Sequence, residues 1–263
     1  MLSTRIHGAL LAAALGLWSG TVALAQPTAA AVEKLTRASQ LIFRGTVERP
    51  GAVNLAILKG GEDTAVVRID EVLHVPGLLE VFRGQEVTLK LSQPGSFKAG
   101  DAAVFFTRSW LYGENLALVE VGHTAPGAEV TSQVVAVHRK MANEALQQRL
   151  DGAALVVAGR VIETRPSSYV DRRRGSEHDP VWQEAVIAVD RVVKGDPRAA
   201  RVVLLYPGSI DTSWHGALKP QPGQDGVWLL EPSPDVAGMY IAPRAWNLIG
   251  RENLAVVEGM VKP

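Results

Sequence analysis

The groups able to do chemistry in this 263-residue chain are few: six histidines, scattered carboxylates and serines, and no cysteine. The absence of cysteine excludes thiol redox chemistry, cysteine nucleophiles and cysteine-based zinc sites. His178 lies beside Glu177 and Asp179, and His215 lies near Asp211. Two imidazoles and a carboxylate are a donor set for zinc or a related transition metal. None of the spacings is a metal motif, such as i, i+4 on a helix. His178 and His215 therefore read first as solvated loop histidines, and no metal or other cofactor is expected.

Tyr169, Trp182 and Trp214 stand in or beside the same two long loops, with Arg172, Arg173 and Arg174 among them. Aromatic rings stack on ligands, and guanidiniums clasp anionic groups. Tyr169, Arg172, Arg173, Arg174, Trp182, Trp214 and His215 are the candidate binding set. The plainer reading of the same residues is a basic hairpin whose aromatics cover a barrel end. Trp228 and Trp246 are assigned to core packing. Ser96 and Ser209 follow Pro-Gly, a turn signal, and neither lies in a nucleophile elbow. No P-loop, H-E-x-x-H or G-x-G-x-x-G occurs. No catalytic residue is assigned.

The elements that would position these groups occur twice. Leu41–Val47 matches Leu155–Val161 at an offset of 114 (159 − 45), and Ala65–Leu73 matches Ala185–Val193 at 120 (190 − 70). Pro94-Gly95-Ser96 returns as Pro207-Gly208-Ser209 at 113 (208 − 95). Order is kept while spacers drift, as in a duplicated domain with fixed strands and variable loops. Asp70 and Asp190 match through this duplication, which explains them better than a catalytic pairing. Each is expected to bond backbone at a bulge or to face solvent.

Within each copy, Leu41–Val47 reads as a strand apolar on both faces, and residues 65–70 alternate as a half-buried strand. The alternation slips after Asp70 and again after Asp190, predicting a β-bulge or bend in both copies. Residues 87–91, 103–107 and 116–121 complete about five strands, the number of a small barrel. Residues 29–38 and 131–150 read as helices. Glu33 and Arg37 are spaced i, i+4, Thr131 is the expected N-cap of the second helix, and Val134, Val137, Met141 and Ala145 form its stripe, widened by Val135, Ala142, Leu146 and Leu150. Thr88, Lys90 and Ser92 are expected to face solvent. Their matches at an offset of 113 (Arg201, Val203, Leu205) lose that polarity, predicting a covered surface where the two domains would pack.

A helix ending in Ala, a strand ending in Gly-x-Val, an alternating strand running into Asp-x-Val-Val-Lys-Gly (Asp190–Gly195) and a short strand to Pro-Gly resemble the netrin-like, or tissue-inhibitor-of-metalloproteinase-like, OB fold. The pattern covers about 90 residues in each copy. The resemblance implies a mainly β protein: two tandem OB-like five-stranded Greek-key barrels, each preceded by a helix. Animal inhibitors of this family chelate a protease zinc with an amino-terminal cysteine held by disulfides. Here the expected mature start is Gln26-Pro27-Thr28 and no cysteine exists, so that mechanism does not carry over. Bacterial exported proteins with this repeat are similar to a family without an assigned activity, and the resemblance carries fold rather than function.

Residues 1–25 read as a signal peptide: Arg5 and His7, an apolar run from Gly8 to Trp18, and Ala23-Leu24-Ala25 before Gln26. Cleavage would leave 238 residues (263 − 25) with no transmembrane anchor, as repeat 1 over 26–126 and a helix plus repeat 2 over 127–263. The mature charge, −1 (26 − 27), offers no electrostatic case for nucleic acid. The expected protein is periplasmic or secreted and non-enzymatic, an interaction module for an envelope protein or peptide, or for a glycan. The alternatives are a metal-dependent or hydrolytic enzyme using His178 and His215, and a protease inhibitor using Trp214–Pro222, part of the longer insertion (Ile210–Gln224) that the second copy carries between its Pro-Gly-Ser and the next strand.

Overall fold

The computed structural model of the protein describes residues 27–74, 83–112, 115–169, 178–197 and 200–261. The expected signal peptide and Arg172, Arg173 and Arg174 lie outside the described residues. The chain divides into two compact units, with the division between Val137 and His138.

In the first unit, the Thr28 hydroxyl accepts the Ala31 N–H and opens helix α1 (Ala29–Arg37), with Glu33 and Arg37 paired at 3.0 Å along its outer side. Five strands follow: β1 (Leu41–Pro50), β2 (Thr64–His74), β3 (Glu86–Lys90), β4 (Ala102–Tyr112) and β5 (Leu116–Thr124). They close into a barrel in the order β1-β2-β3-β5-β4, sealed by β1 against β4. The β3–β5 pair is parallel and the others are antiparallel. This is the OB-like topology.

Phe43, Val67, Leu89, Phe105 and Leu118 fill the barrel. The opposite faces of β1 and β4 offer Ile42, Val104 and Phe106 to Val32 of α1 and to Val130 and Val134 of the next helix. A strand serving both a barrel interior and a helix must be apolar on both faces, which accounts for the run from Leu41 to Val47.

The second unit repeats the plan with β6 (Leu155–Pro166), β7 (Trp182–Lys194), β8 (Arg201–Pro207), β9 (Asp225–Pro232), β10 (Tyr240–Ile241) and β11 (Leu248–Ile249). Tyr240 stands opposite Leu204 as Leu118 stands opposite Leu89, and Leu248 stands opposite Trp228 as His123 stands opposite Phe105. The long β5 is thus replaced by two short pieces, β10 and β11. The segment between them carries Pro243, which cannot donate to a ladder. Helix α3 (Leu254–Met260) follows and buries Val257.

Both predicted slips are bulges. Asp70 is the extra residue between the pairs Gly45–Ile69 and Arg44–Glu71, and Asp190 is the extra residue between Gly159–Val189 and Ala158–Arg191. Leu73 and Val193, and Glu48 and Ile162, are extra at matching points.

Helix α2 (Ala128–Gly152) begins earlier than its expected cap, and the Thr131 N–H already bonds to the Gly127 carbonyl. Val134, Val137 and Leu150 are buried, but Val135, Ala142 and Ala145 are exposed, so the packed stripe is narrower than predicted. In the second unit, Leu146 and Leu150 pack with Val156, Val227, Leu229 and Val257.

Thr88 departs from expectation. It is fully buried because the Gly-rich 51–63 segment folds over β3: its hydroxyl donates to Asn54 Oδ1 at 2.6 Å and accepts the Asn54 N–H at 2.9 Å. Lys90 and Ser92 are exposed. Pairing places Leu204 where Leu89 stands, an offset of 115 (204 − 89) in place of 113, so Val203 and Leu205 correspond to Thr88 and Lys90. Both offsets are odd, so the face assignment is unchanged; Val203 is half-buried and Leu205 buried.

Candidate functional site

Three aromatic rings from three separate segments meet at one end of the second barrel. Where the β6–β7 loop leaves its strands, the Ser167 N–H bonds to the Trp182 carbonyl at 3.1 Å. This brings Tyr169 beside Trp182, with ring centroids 6.0 Å apart. Trp214 comes from the β8–β9 loop and meets Trp182 edge-on at 6.3 Å. All three side chains are half-buried.

A polar frame holds these rings. Glu184 is buried, and its carboxylate accepts the Ser167 hydroxyl and the Arg165 Nε, each at 2.9 Å. The Ser167 oxygen in turn accepts the Tyr169 N–H at 3.1 Å. On the other loop, Asp211 caps the 3-10 turn Thr212–Trp214 by accepting the Ser213 N–H at 2.7 Å. Its second oxygen lies 2.9 Å from His178 Nδ1. The Trp214 indole N–H donates to the His178 carbonyl at 2.7 Å. Chiefly through the His178 hydrogen bond, and then through Ser213, the Asp211 pKa is lowered to about 2. The Trp182 Nε1 is buried and has no partner among the described residues, so the fold leaves one donor of this cluster unused.

The sequence-selected residues separate here. Tyr169, Trp182 and Trp214 converge. His178 joins them as a tether through its backbone carbonyl and its ring. His215 is the exposed C-cap residue of the 3-10 turn. Among the described residues, no three His, Asp or Glu side chains gather to hold a metal. Ser96 donates to the Gln93 carbonyl and Ser209 accepts the Asp211 N–H, both turn roles. Of the two expectations, a backbone bond or a solvent-facing side chain, Asp190 meets the second, whereas Asp70 is half-buried and bonds a side chain. Asp70 accepts the Thr46 hydroxyl at 2.7 Å, and Asp190 accepts Arg251 at 3.1 Å.

Trp228 is fully buried, and its indole N–H donates to the Gly159 carbonyl at 2.8 Å. Trp246, expected in the core, is 57% exposed. It lies on the 3-10 turn Ala245–Asn247, where the inward position belongs to its neighbour: Asn247 is buried and donates to the Leu229 carbonyl at 3.1 Å.

One constellation in the first unit was not singled out from the sequence. Glu120 is buried in β5, accepts the Ser92 N–H at 2.8 Å and meets His123 Nδ1 at 2.5 Å. Strand residues three apart normally point to opposite faces. Here Val121 is an extra residue between the pairs Thr107–Glu120 and Phe106–Gly122, and the bulge brings both side chains together. Burial pushes the Glu120 pKa up, but the bonds from His123 and Ser92 outweigh it, and the net shift is downward. Phe97 covers the imidazole edge-on at 4.7 Å, so the pair ties the 92–97 turn to the barrel. A Glu interrupting the apolar run from Leu116 was the available signal.

The chain matches no model of a known protein family and no curated protein. Among the described residues, no helix is long and apolar enough to cross a membrane.

Proposed function

We propose that this is an exported, non-enzymatic envelope protein whose second barrel presents Tyr169, Trp182 and Trp214 to a protein or peptide partner. The observation that carries the reading is the convergence of these three rings from separate segments, held by the hydrogen bonds of Glu184 and Asp211. Half-buried aromatics fixed in advance lose little conformational freedom on binding and supply large contact area. Loops and one barrel face are the usual ligand surfaces of OB folds. The export reading rests on the leader-like residues 1–25. In this reading the tandem barrels are divergent netrin-like domains that have dispensed with the cysteine chemistry of the animal inhibitors.

The test is a pull-down from envelope extract with the mature chain, comparing wild type with Trp214→Ala and with a variant lacking Trp214–Pro222, each checked for folding by circular dichroism. A specific polypeptide retained by wild type and lost by both variants supports the proposal. Retention of a glycan alone replaces the peptide partner. No partner for any form, together with turnover of a substrate by the purified protein, refutes it.

A further inference from the structure

Besides the aromatic cluster, the second unit carries an exposed indole whose backbone the fold holds on both sides. Trp246 has its backbone fixed on both sides. The Ala245 N–H bonds to the Gly216 carbonyl at 3.2 Å, the Asn247 N–H bonds to the Arg244 carbonyl at 2.9 Å, and the buried Asn247 amide is anchored on β9. The last turns of α2 reach the same turn: Arg149 Nη1 donates to the Trp246 carbonyl at 2.8 Å and its Nε donates to the Ala145 carbonyl at 3.2 Å. An open recess of about 480 Å³ lies between the helix and the ring, lined by Ala145, Gln148, Arg149 and Trp246. Arg244 stands over the indole with its guanidinium carbon 5.8 Å from the ring centroid.

Two features set this place apart from an ordinary exposed side chain. Arg149 and Arg244, like Arg83, Arg108, Arg139 and Arg201, have no carboxylate partner among the described residues, but here two such arginines stand at one indole ring. The second is rigidity. Arg149 is oriented by two backbone carbonyls, so its fork is aimed before any ligand arrives. Tryptophan and arginine are the residues most enriched among binding hot spots.

We propose that Trp246, Arg149 and Arg244 form a docking site for an acidic segment of a partner polypeptide, whose carboxylate engages the guanidiniums while an adjacent apolar side chain lies against the indole. Charge complementarity selects this occupant: two unpaired cations flank an apolar face, and an acidic peptide supplies both the anion and the apolar surface. The proposal does not rest on the Tyr169–Trp182–Trp214 reading, and Trp214→Ala separates the two, whereas deletion of Trp214–Pro222 would also remove the Gly216 carbonyl that holds this turn.

The experiment uses the full mature chain and a short synthetic peptide in which Glu alternates with Leu and Phe, beside its Gln-for-Glu counterpart and an oligogalacturonate. Binding is read by fluorescence anisotropy of labelled ligands at low and high salt. The acidic peptide is expected to bind, the Gln peptide to bind weakly, and salt to weaken the first. Trp246→Ala and Arg244→Gln are expected to reduce affinity about tenfold or more. Arg244 makes no hydrogen bond from its guanidinium to the described residues, so Arg244→Gln tests charge without disturbing the turn. Equal binding of the Glu and Gln peptides, or no effect of either substitution, overturns the proposal. So does binding of the oligogalacturonate alone, which would assign the site to an acidic glycan.

Discussion

Gly45 and Gly159 stand at the same point of the same bulged ladder, one in each unit. A Cβ on Gly45 would lie 2.7 Å from the Arg68 carbonyl oxygen, and a Cβ on Gly159 would collide with the Ala188 carbonyl. In both ladders the extra aspartate, Asp70 or Asp190, lies just beyond the residue paired with the glycine. The bulge presses one backbone onto the other, and only glycine leaves the room. Gly159→Ala is therefore expected to destabilise the second unit by about 2 kcal/mol or more. Urea denaturation followed by circular dichroism reads this as a lowered midpoint; an unchanged midpoint would show that the ladder yields at no cost.

Trp228 and Phe105 are the corresponding bulky residues of the two barrel interiors. Phe105 pairs with Phe43 across the ladder, with ring centroids 5.5 Å apart, whereas Trp228 pairs with the smaller Val157. Volume is thus redistributed between the partners, as close packing demands. Trp228→Phe leaves that exchange incomplete and removes the donor to the Gly159 carbonyl. The expected cost is roughly 1–3 kcal/mol. Trp228→Phe paired with Val157→Leu is expected to recover the packing part but not the hydrogen-bond part, which a double-mutant cycle separates.

The duplicated core was legible because its signals are local. Strand alternation, the phase slips at Asp70 and Asp190, and the Glu33–Arg37 spacing each depend on residues close in sequence. What escaped depends on tertiary closure. Thr88 looks like a surface residue until Asn54 folds over it. Trp246 has the character of a core residue, but the turn hands the inward position to Asn247. Glu120 and His123 meet only because Val121 bulges, and no alternation pattern announces that. Tyr169, Trp182 and Trp214 could be selected by type, but their contact is made by two loops whose closure the sequence does not encode locally.

Glu120 makes the first unit sensitive to acid. Its folded pKa lies below the ordinary value of 4.5, so its contribution is complete above that value and is lost as pH falls through the lower folded one. Glu120→Gln keeps the size and one acceptor for the Ser92 N–H but removes the charge facing His123. Wild type is expected to lose stability more steeply than the variant below about pH 4.5. Urea midpoints measured from pH 3 to pH 7 check this; parallel acid limbs would show that Glu120 is not the responsible group.

Asp211 offers the most direct test of the aromatic site's frame. Its pKa is lowered from 3.8 to about 2, first by His178 and then by Ser213. The depressed value means that folding favours the carboxylate, an advantage full above 3.8 and lost as pH falls through about 2. The tether that fixes Trp214 should therefore lose none of its carboxylate to protonation across neutral and mildly acidic pH. A carboxyl NMR titration of the wild type is expected to place Asp211 near 2, and His178→Ala to move it up towards 3.8. Asp211→Asn retains an acceptor for the Ser213 N–H and should keep the turn, whereas Asp211→Ala should lose both the cap and the His178 contact. Partner capture by the Tyr169–Trp182–Trp214 face is then expected to fall in the order wild type, Asp211→Asn, Asp211→Ala. An Asp211 titration that ignores His178→Ala would break the link between the two loops, and with it the claim that this aromatic face is held ready before a partner arrives.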